Sequence, residues 1–197
     1  MTLKIMHPGL PDIVEDWLPY CSGLQFRDPG TIDLVVIHCT ELPDLKTARE
    51  FGERIHHADS GTGNSGHFYV ERTGRIEQWV PLDRAAHHVR GFNETSIGIE
   101  LDNRGRYPDW FDSRCQEMTQ AYTVPQIESL LLLLRKLQKD LPGLRHISGH
   151  ETLDTDRVPA SNDASRRVFR KRDPGSLFPW KPILRQTGLE FFDPAKA

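Results

Sequence analysis

The chain has 197 residues, 37% of them hydrophobic, and a formal net charge of −3 at pH 7. This length is enough for one domain with a substantial core and is short for two. The acidic balance excludes a strong general attraction to nucleic acid, and the leucine run at 130–134 is far shorter than the roughly 20 residues that cross a bilayer. We therefore expect no nucleic-acid or membrane partner, and we expect a monomer.

The first ten residues contain neither an apolar region nor a small-residue cleavage site, so no secretory signal is expected in the chain as written. Cys21, Cys39 and Cys115 are an odd number of cysteines at wide spacing, which predicts neither a disulfide framework nor a CxxC metal site. These features favour a cytoplasmic protein. A signal peptide that was removed and replaced by a start methionine is the open alternative.

A buried strand is predicted at residues 33–40, after an irregular, proline-rich segment at 1–32. Residues 34–37 are four consecutive large aliphatic residues, as in strands that are buried on both faces of an α/β sheet. His38 follows at the carboxyl end of this strand, where open α/β sheets form ligand crevices. A single histidine at such a position is often structural, so its role depends on the residues that follow.

Residues 44–59 carry apolar residues at three- and four-residue spacing, which predicts an amphipathic helix. We expect His56 and His57, near the end of this helix, to be surface histidines. The loop at 61–66 has the composition of a phosphate-binding loop, but no lysine follows it and it leads into a strand. It is therefore interpreted as a loop on the substrate side.

A hairpin is predicted at 67–80, and a further buried strand at 96–101. Glu100 interrupts the apolar pattern of this second strand near its end. Because burial of an unpaired carboxylate is costly, Glu100 should have partners or face a cleft. Either situation suits a general base with a raised pKa, and the alternative is a carboxylate that orients a metal ligand.

The next segment, 102–122, has no clear periodicity and is interpreted as a long excursion, a kind of loop that is commonly functional. The pattern Thr123-x-x-Gln126 is a capping box, and a leucine stripe follows it until Pro142. This predicts the main helix that packs on the sheet. The elements together predict an α/β fold, a single domain with a central mixed β-sheet flanked by helices and a zinc site at strand ends.

Residues 144–151 are predicted to be the last strand, which again ends in a histidine, His150. Two neutral imidazoles on the ends of rigid strands are what a zinc site on a sheet requires. The third ligand should be an oxygen or sulfur donor. Asp173 is a candidate because the proline and glycine that follow it fix a turn that can aim it inward.

Six segments in unbroken order resemble the zinc-dependent N-acetylmuramoyl-L-alanine amidases, which share a fold with phage amidase lysozymes and peptidoglycan recognition proteins. They are the His38 strand, Ser65-Gly66-His67 with its hairpin, the Ala-His-His loop at 86–88, Ser96-Ile97-Gly98-Ile99-Glu100, Gly149-His150-Glu151 and Lys171-x-Asp173-Pro174-Gly175. The resemblance runs from about residue 33 to residue 175 and is closest to the AmpD type.

This resemblance implies one zinc ion per chain, bound by His38, His150 and Asp173. The segment between the last two ligands is longer than expected for the family, and three aspartates within it compete for the ligand role. They are Asp154, Asp156 and Asp163.

The resemblance also implies catalytic roles for Glu100 and Lys171, and it places His67 and His88 in the substrate cleft. The implied reaction is hydrolysis of the amide bond between (anhydro-)N-acetylmuramic acid and L-alanine in muropeptides, during cell-wall recycling. A phage-type endolysin amidase that acts on intact peptidoglycan is one alternative. A non-catalytic peptidoglycan-binding protein on the same fold is the other.

The predicted amidase domain spans 33–187, between the N-terminal segment 1–32 and a C-terminal tail at 188–197. One short helix is expected after residue 176. Segments 102–122 and 157–169 are predicted to be loops on the rim of the site, where their residues help to set specificity.

Overall fold

The computed structural model describes residues 11–196, in which seven strands form one mixed sheet in the order β1-β4-β3-β5-β2-β6-β9. The strands of this sheet are β1 (Ile13–Glu15), β2 (Leu34–Cys39), β3 (Phe68–Val70), β4 (Ile76–Gln78), β5 (Ser96–Leu101), β6 (His146–Gly149) and β9 (Glu190–Phe191). A separate antiparallel pair consists of β7 (Arg157–Pro159) and β8 (Arg167–Phe169). The helices are α1 (Leu45–Gly52), α2 (Val124–Asp140), α3 (His150–Leu153) and α4 (Trp180–Thr187).

Strand β2 lies in the interior of the sheet and is buried along its whole length between the parallel strands β5 and β6. Its unbroken aliphatic run gives it apolar side chains on both faces, as expected for a central parallel strand. The register aligns His38 with Glu100 on β5, and Ile37 with Gly149 on β6. The carboxyl ends of these three strands therefore meet at one edge of the sheet. His38 and Glu100 lie on two of them, and His150 follows the third directly.

The predicted scaffold helix is confirmed as α2, whose leucine stripe packs against the sheet in the main hydrophobic core. The hydroxyl of Thr123 accepts a hydrogen bond from the Gln126 amide, as the capping pattern predicts. The side-chain amide of Gln126 does not return to the cap but donates to the carbonyl oxygens of Val70 and Asp102. This residue therefore fastens the start of the helix to the ends of β3 and β5.

Replacing Thr123 by alanine should lower the free energy of unfolding by about 1 kcal/mol, because the first turn of α2 loses its capping oxygen. For a domain of this size the midpoint of thermal unfolding should fall by roughly 2–4 °C. Thr119→Ala is the matched control, since Thr119 is exposed and lies outside the helix. Equal midpoints for the two variants would show that the cap contributes nothing.

Several predictions about the elements need correction. Residues 13–15, in the segment predicted to be irregular, form β1 and pair with β4 in parallel. The helix predicted over 44–59 ends at Gly52, because the chain turns into a bridge between His57 and Thr62. His56 and His57 therefore lie in the following loop, where they are exposed as predicted.

The strand predicted over 144–151 is also different in the structure. It ends at Gly149, and His150 is the first residue of the short helix α3. It is also not the last strand of the sheet, because β9 comes later in the chain and pairs with β6. Segment 157–169 is a β-hairpin rather than a loop. The short helix expected after 176 is confirmed as α4, and among residues 11–196 no helix is long and apolar enough to cross a membrane.

Candidate metal centre

Three buried side chains converge where β2 and β6 end. His38 is the fifth residue of β2, and His150 follows directly after Gly149, the neighbour of Ile37 across the two strands. Asp173 is brought in from a distant part of the chain, because its carbonyl oxygen accepts a hydrogen bond of 2.9 Å from the Glu151 amide. The pairing of strands thus positions the two histidines, and one backbone hydrogen bond positions the aspartate.

The potential ligand atoms of these residues form a tight triangle. His38 Nδ1 and His150 Nδ1 are 2.9 Å apart, and each is 3.1 Å from Asp173 Oδ2. Ligands about 2.0–2.2 Å from a tetrahedral Zn²⁺ lie roughly 3.3–3.6 Å from one another, so a small outward shift fits the ion. The other carboxylate oxygen, Asp173 Oδ1, is buried without a hydrogen-bond partner among the described residues. The donor set therefore fits a metal ion with an open fourth position.

The charge state of the triangle also suits a cation. Burial opposes ionisation of Asp173, but the two histidines hold the pKa of its carboxyl well below the usual range. Burial lowers the pKa of His150, which favours the neutral imidazole. One carboxylate and neutral imidazole rings are the forms that bind zinc.

The three competing aspartates each have other partners. Asp154 pairs with Arg170, and Asp156 forms an exposed ion pair of 2.9 Å with Arg90. Asp163 is exposed and accepts hydrogen bonds from Ser165. Of these four aspartates, it is Asp173 that joins the two histidines in the described chain.

Glu100 and Lys171 lie beside this triangle and line the same cleft. Glu100 Oε1 is 3.9 Å from His38 Nδ1, and the carboxylate side chain is 16% exposed, so it faces both the triangle and the cleft. Burial raises the pKa of Glu100, which makes it a better proton acceptor than an ordinary surface carboxylate. A side chain at Gly66 would lie 2.9 Å from Glu100 Cγ, so glycine leaves room for the carboxylate there.

The cleft has a volume of about 350 Å³ and is formed by residues far apart in the sequence. Besides the triangle, Glu100 and Lys171, side chains from the loops after β2, α1 and β4 and from segment 102–122 line it. Examples that sequence reasoning did not assign to the site are His87, Asn64, Arg106, Trp110 and Phe111. The aromatic residues of segment 102–122 were a signal for a rim element, and Asn64 belongs to the loop at 61–66 that was interpreted as lying on the substrate side. Nothing local distinguished His87.

A family model described as N-acetylmuramoyl-L-alanine amidase matches residues 28–176. The chain belongs to this amidase family. AmiD from Escherichia coli K12, an N-acetylmuramoyl-L-alanine amidase, is 36% identical over 120 residues, which is 57% of this chain and 38% of AmiD. The 1,6-anhydro-N-acetylmuramyl-L-alanine amidase AmpD from Salmonella typhimurium LT2 is 30% identical over 125 residues, 59% of this chain and 53% of AmpD.

The chain thus spans about half or less of the length of these two relatives. Among solved structures, the endolysin N-acetylmuramoyl-L-alanine amidase LysCS from Clostridium intestinale URNW has a TM-score of 0.64 at 21% identity. The alignment covers 93% of this chain and all of LysCS, so the two share the fold. The resemblance to AmpD-type amidases and the predicted fold class are confirmed.

Of the two further histidines that the amidase resemblance singled out, His88 lines the cleft as expected and His67 does not. His67 is fully buried, accepts a hydrogen bond from the Gly98 amide at Nδ1 and donates from Nε2 to the Arg84 carbonyl oxygen. It does not line the cleft, so it fastens a loop to the sheet rather than contacting a ligand there. His88 lies 9% exposed at the edge of the cleft, with Nδ1 3.0 Å from Nε2 of His38.

Segments 102–122 and 157–169 are joined through one buried ion pair. The guanidinium of Arg106 binds both carboxylate oxygens of Glu41, with Nε–Oε1 and Nη2–Oε2 distances of 2.7 Å. It also donates to the carbonyl oxygens of Phe169, the last residue of the hairpin, and of Arg170 directly after it. Glu41 comes two residues after β2 and has a left-handed backbone (φ 48°), which side chains rarely adopt without support. The rim is therefore anchored next to the metal centre.

Proposed function

We propose that this protein is a zinc-dependent amidase that hydrolyses the bond between N-acetylmuramic acid and L-alanine of the stem peptide. The supporting observation is the triangle of His38 Nδ1, His150 Nδ1 and Asp173 Oδ2 with Glu100 beside it in an open cleft. Two imidazoles and one carboxylate leave a coordination position for the reaction, as in catalytic zinc sites. The match to the amidase family supports the same activity.

An amide is a poor electrophile with a poor leaving group, so three things are needed: an activated water, stabilisation of the oxyanion and a proton for the amine. A zinc ion held by the triangle would supply an acidified water and polarise the carbonyl group. Glu100 accepts the proton of the attacking water and passes it to the nitrogen of L-alanine as the C–N bond breaks. Lys171 contributes positive charge near the oxyanion. The products are a muramic acid carboxylate and a peptide with a free amine.

The substrate is proposed to be a muropeptide that carries the anhydro sugar, and the role to be cell-wall recycling. The support is the 30% identity to AmpD, which is named as a 1,6-anhydro-N-acetylmuramyl-L-alanine amidase. A location in the cytoplasm and a monomeric state stay predictions. An endolysin that acts on intact peptidoglycan shares the fold and is distinguished by the assay below.

The test is mass spectrometry of a purified anhydromuropeptide after incubation with the protein. In parallel, protein treated with a chelator is assayed before and after addition of zinc. Release of the anhydro sugar and of a peptide with a free L-alanine amine, lost on chelation and regained with zinc, is the expected result. Cleavage of intact sacculi but not of the fragment would indicate the endolysin activity. Cleavage of neither substrate by zinc-loaded protein would contradict the amidase proposal.

Removing the third ligand should abolish tight metal binding. Asp173→Asn replaces the charged oxygen, so the zinc affinity should fall by more than the roughly 10–100-fold that loss of an outer partner of a ligand costs. Competition with a chromophoric chelator measures this affinity. Asp156→Asn is the matched control, since Asp156 is exposed and pairs with Arg90. If Asp156→Asn weakened zinc binding and Asp173→Asn did not, the ligand assignment would be wrong.

A further inference from the structure

A chain of three hydrogen bonds leads from the backbone to the ring of His38. The Ser96 hydroxyl donates to the carbonyl oxygen of Phe92 at 2.7 Å. The Ser96 hydroxyl oxygen lies 3.2 Å from His88 Nε2, and His88 Nδ1 lies 3.0 Å from His38 Nε2. The two contacts between side chains are buried.

The direction of each bond follows from the Phe92 carbonyl oxygen, which can only accept. A hydroxyl has one hydrogen, and Ser96 donates it to the Phe92 carbonyl oxygen. Ser96 Oγ must therefore accept a hydrogen bond from His88 Nε2–H. A neutral imidazole has one N–H, so His88 Nδ1 carries a lone pair and accepts from His38 Nε2–H. His38 then carries no hydrogen on Nδ1, the atom that faces His150 and Asp173.

The ring of His88 is fixed by its surroundings as well as by these bonds. A Cβ atom at Gly98 would lie 2.6 Å from His88 Cγ, so the ring packs directly on the glycine backbone of β5. The backbone amides of His88 and Val89 both donate to the side-chain oxygen of Asn93, at 3.1 and 2.8 Å. The loop is thus held in a conformation that presents Nδ1 of His88 to His38.

We propose that His88, supported by Ser96, is a positioning residue that holds His38 in the Nε2–H tautomer and orients its Nδ1 lone pair toward the metal. Ligand histidines are generally oriented by a hydrogen bond at the other ring nitrogen, and such partners strengthen metal binding. Here the partner is a second imidazole, whose own tautomer is set by a serine and a backbone carbonyl. This inference rests on the proposed metal site but not on the proposed substrate.

The first variant is His88→Leu, which removes the acceptor for His38 Nε2–H. We expect the zinc affinity, measured by chelator competition, to fall roughly 10–100-fold. His88→Asn is the conservative variant, because its side-chain oxygen can take the place of Nδ1, and it should retain an affinity within a few-fold of the wild type. His87→Asn is the neighbouring control, because the His87 ring packs against His57 while the hydrogen-bond contacts of the His38 ring in residues 11–196 are with His88, His150 and Asp173. Its zinc affinity should be unchanged.

The second measurement reads the tautomer directly. Two-bond ¹H–¹⁵N correlation spectra of the zinc-free protein show which ring nitrogen of His38 carries the proton, with a His38→Gln sample for assignment. Zinc is left out of the wild-type and variant samples, because an ion bound at Nδ1 would itself fix the proton on Nε2. The wild type should show His38 protonated at Nε2. Ser96→Ala removes the acceptor of His88 Nε2–H, and both rings should then show a mixture of tautomers. Ser96→Ala is the smaller substitution, so it tests the His38 tautomer even if His88→Leu does not fold.

Two results would overturn the proposal. One is an unchanged His38 tautomer in a folded His88→Leu or Ser96→Ala variant. The other is unchanged zinc affinity of His88→Leu together with a raised KM, which would make His88 a substrate contact. A wild-type protein that binds zinc but cleaves no muropeptide would contradict the proposed function, while the zinc affinities and spectra of the variants would still test the role of His88.

Discussion

Replacing Glu100 by glutamine should lower the rate of amide hydrolysis by about 10²–10⁴-fold, the usual contribution of a general base. Glutamine has nearly the same shape but cannot accept the proton of the attacking water. The side chain faces the cleft, and its Oε1 lies 3.9 Å from His38 Nδ1, so the lost group is at the reacting end of the site. The measurement is kcat on an anhydromuropeptide with saturating zinc, together with zinc affinity by chelator competition.

Zinc affinity distinguishes the two roles that Glu100 can have. If Glu100 is the base, kcat falls while zinc affinity stays close to that of the wild type. If Glu100 only orients His38, zinc affinity falls and saturating zinc restores the rate. Glu117→Gln is the matched control, because Glu117 is exposed and does not line the cleft. A Glu100→Gln protein with wild-type kcat would exclude the general-base role.

The central part of the site could be predicted because it depends on local patterns. The aliphatic run before His38 and the apolar strand that contains Glu100 identify two buried parallel strands, whose carboxyl ends share one edge of the sheet. Asp173 is different. It reaches the site through a backbone hydrogen bond with Glu151, and no periodicity near either residue indicates this contact. The turn formed by the following proline and glycine made Asp173 a candidate, and the family resemblance then separated it from the other aspartates.

The roles of the neighbouring histidines could not be read from the sequence for a similar reason. His87 and His88 are adjacent, and the sequence is compatible with a loop that directs either side chain toward His38. The structure selects His88 for the contact with His38, because Asn93 holds the loop backbone and Gly98 leaves space for the ring. The hairpin at 157–169 was missed because its strands are three residues each and mostly exposed, so they show little alternation.

The rim of the cleft is held by contacts between residues far apart in the sequence, which local sequence patterns do not predict. Arg106 and Glu41 are 65 positions apart, and each lies in a segment without a regular pattern. The arginine side chain is 1% exposed and the glutamate side chain 10% exposed. Trp110 adds a hydrogen bond from its indole nitrogen to the Glu41 carbonyl oxygen, and Ser161 donates its backbone amide to the Phe111 carbonyl oxygen. These contacts join the end of β2, segment 102–122 and the hairpin into one unit.

Arg106→Met should therefore lower the free energy of unfolding by about 3–5 kcal/mol, the cost of leaving a buried charge without its partner. The loss has two sources. The buried carboxylate of Glu41 loses its ion-pair partner, and the carbonyl oxygens of Phe169 and Arg170 lose their hydrogen-bond donors. For a domain of this size the midpoint of thermal unfolding should fall by roughly 10 °C. Arg90→Met is the control, because the exposed pair of Arg90 with Asp156 should contribute at most about 1 kcal/mol.

The double variant Glu41→Gln/Arg106→Met shows whether the cost comes from the unpaired charge. Removing both charges should recover a large part of the stability lost in Arg106→Met, so the two changes should be strongly non-additive in denaturant unfolding. Additive losses would mean that Arg106 acts through the carbonyl oxygens of the hairpin instead. Glu41 lies two residues after the end of β2, the strand that carries His38. Loss of the Glu41–Arg106 ion pair should therefore also disturb the cleft, which both residues line. A loss below about 1 kcal/mol for Arg106→Met would contradict the buried-charge argument, since it would equal that of an exposed pair.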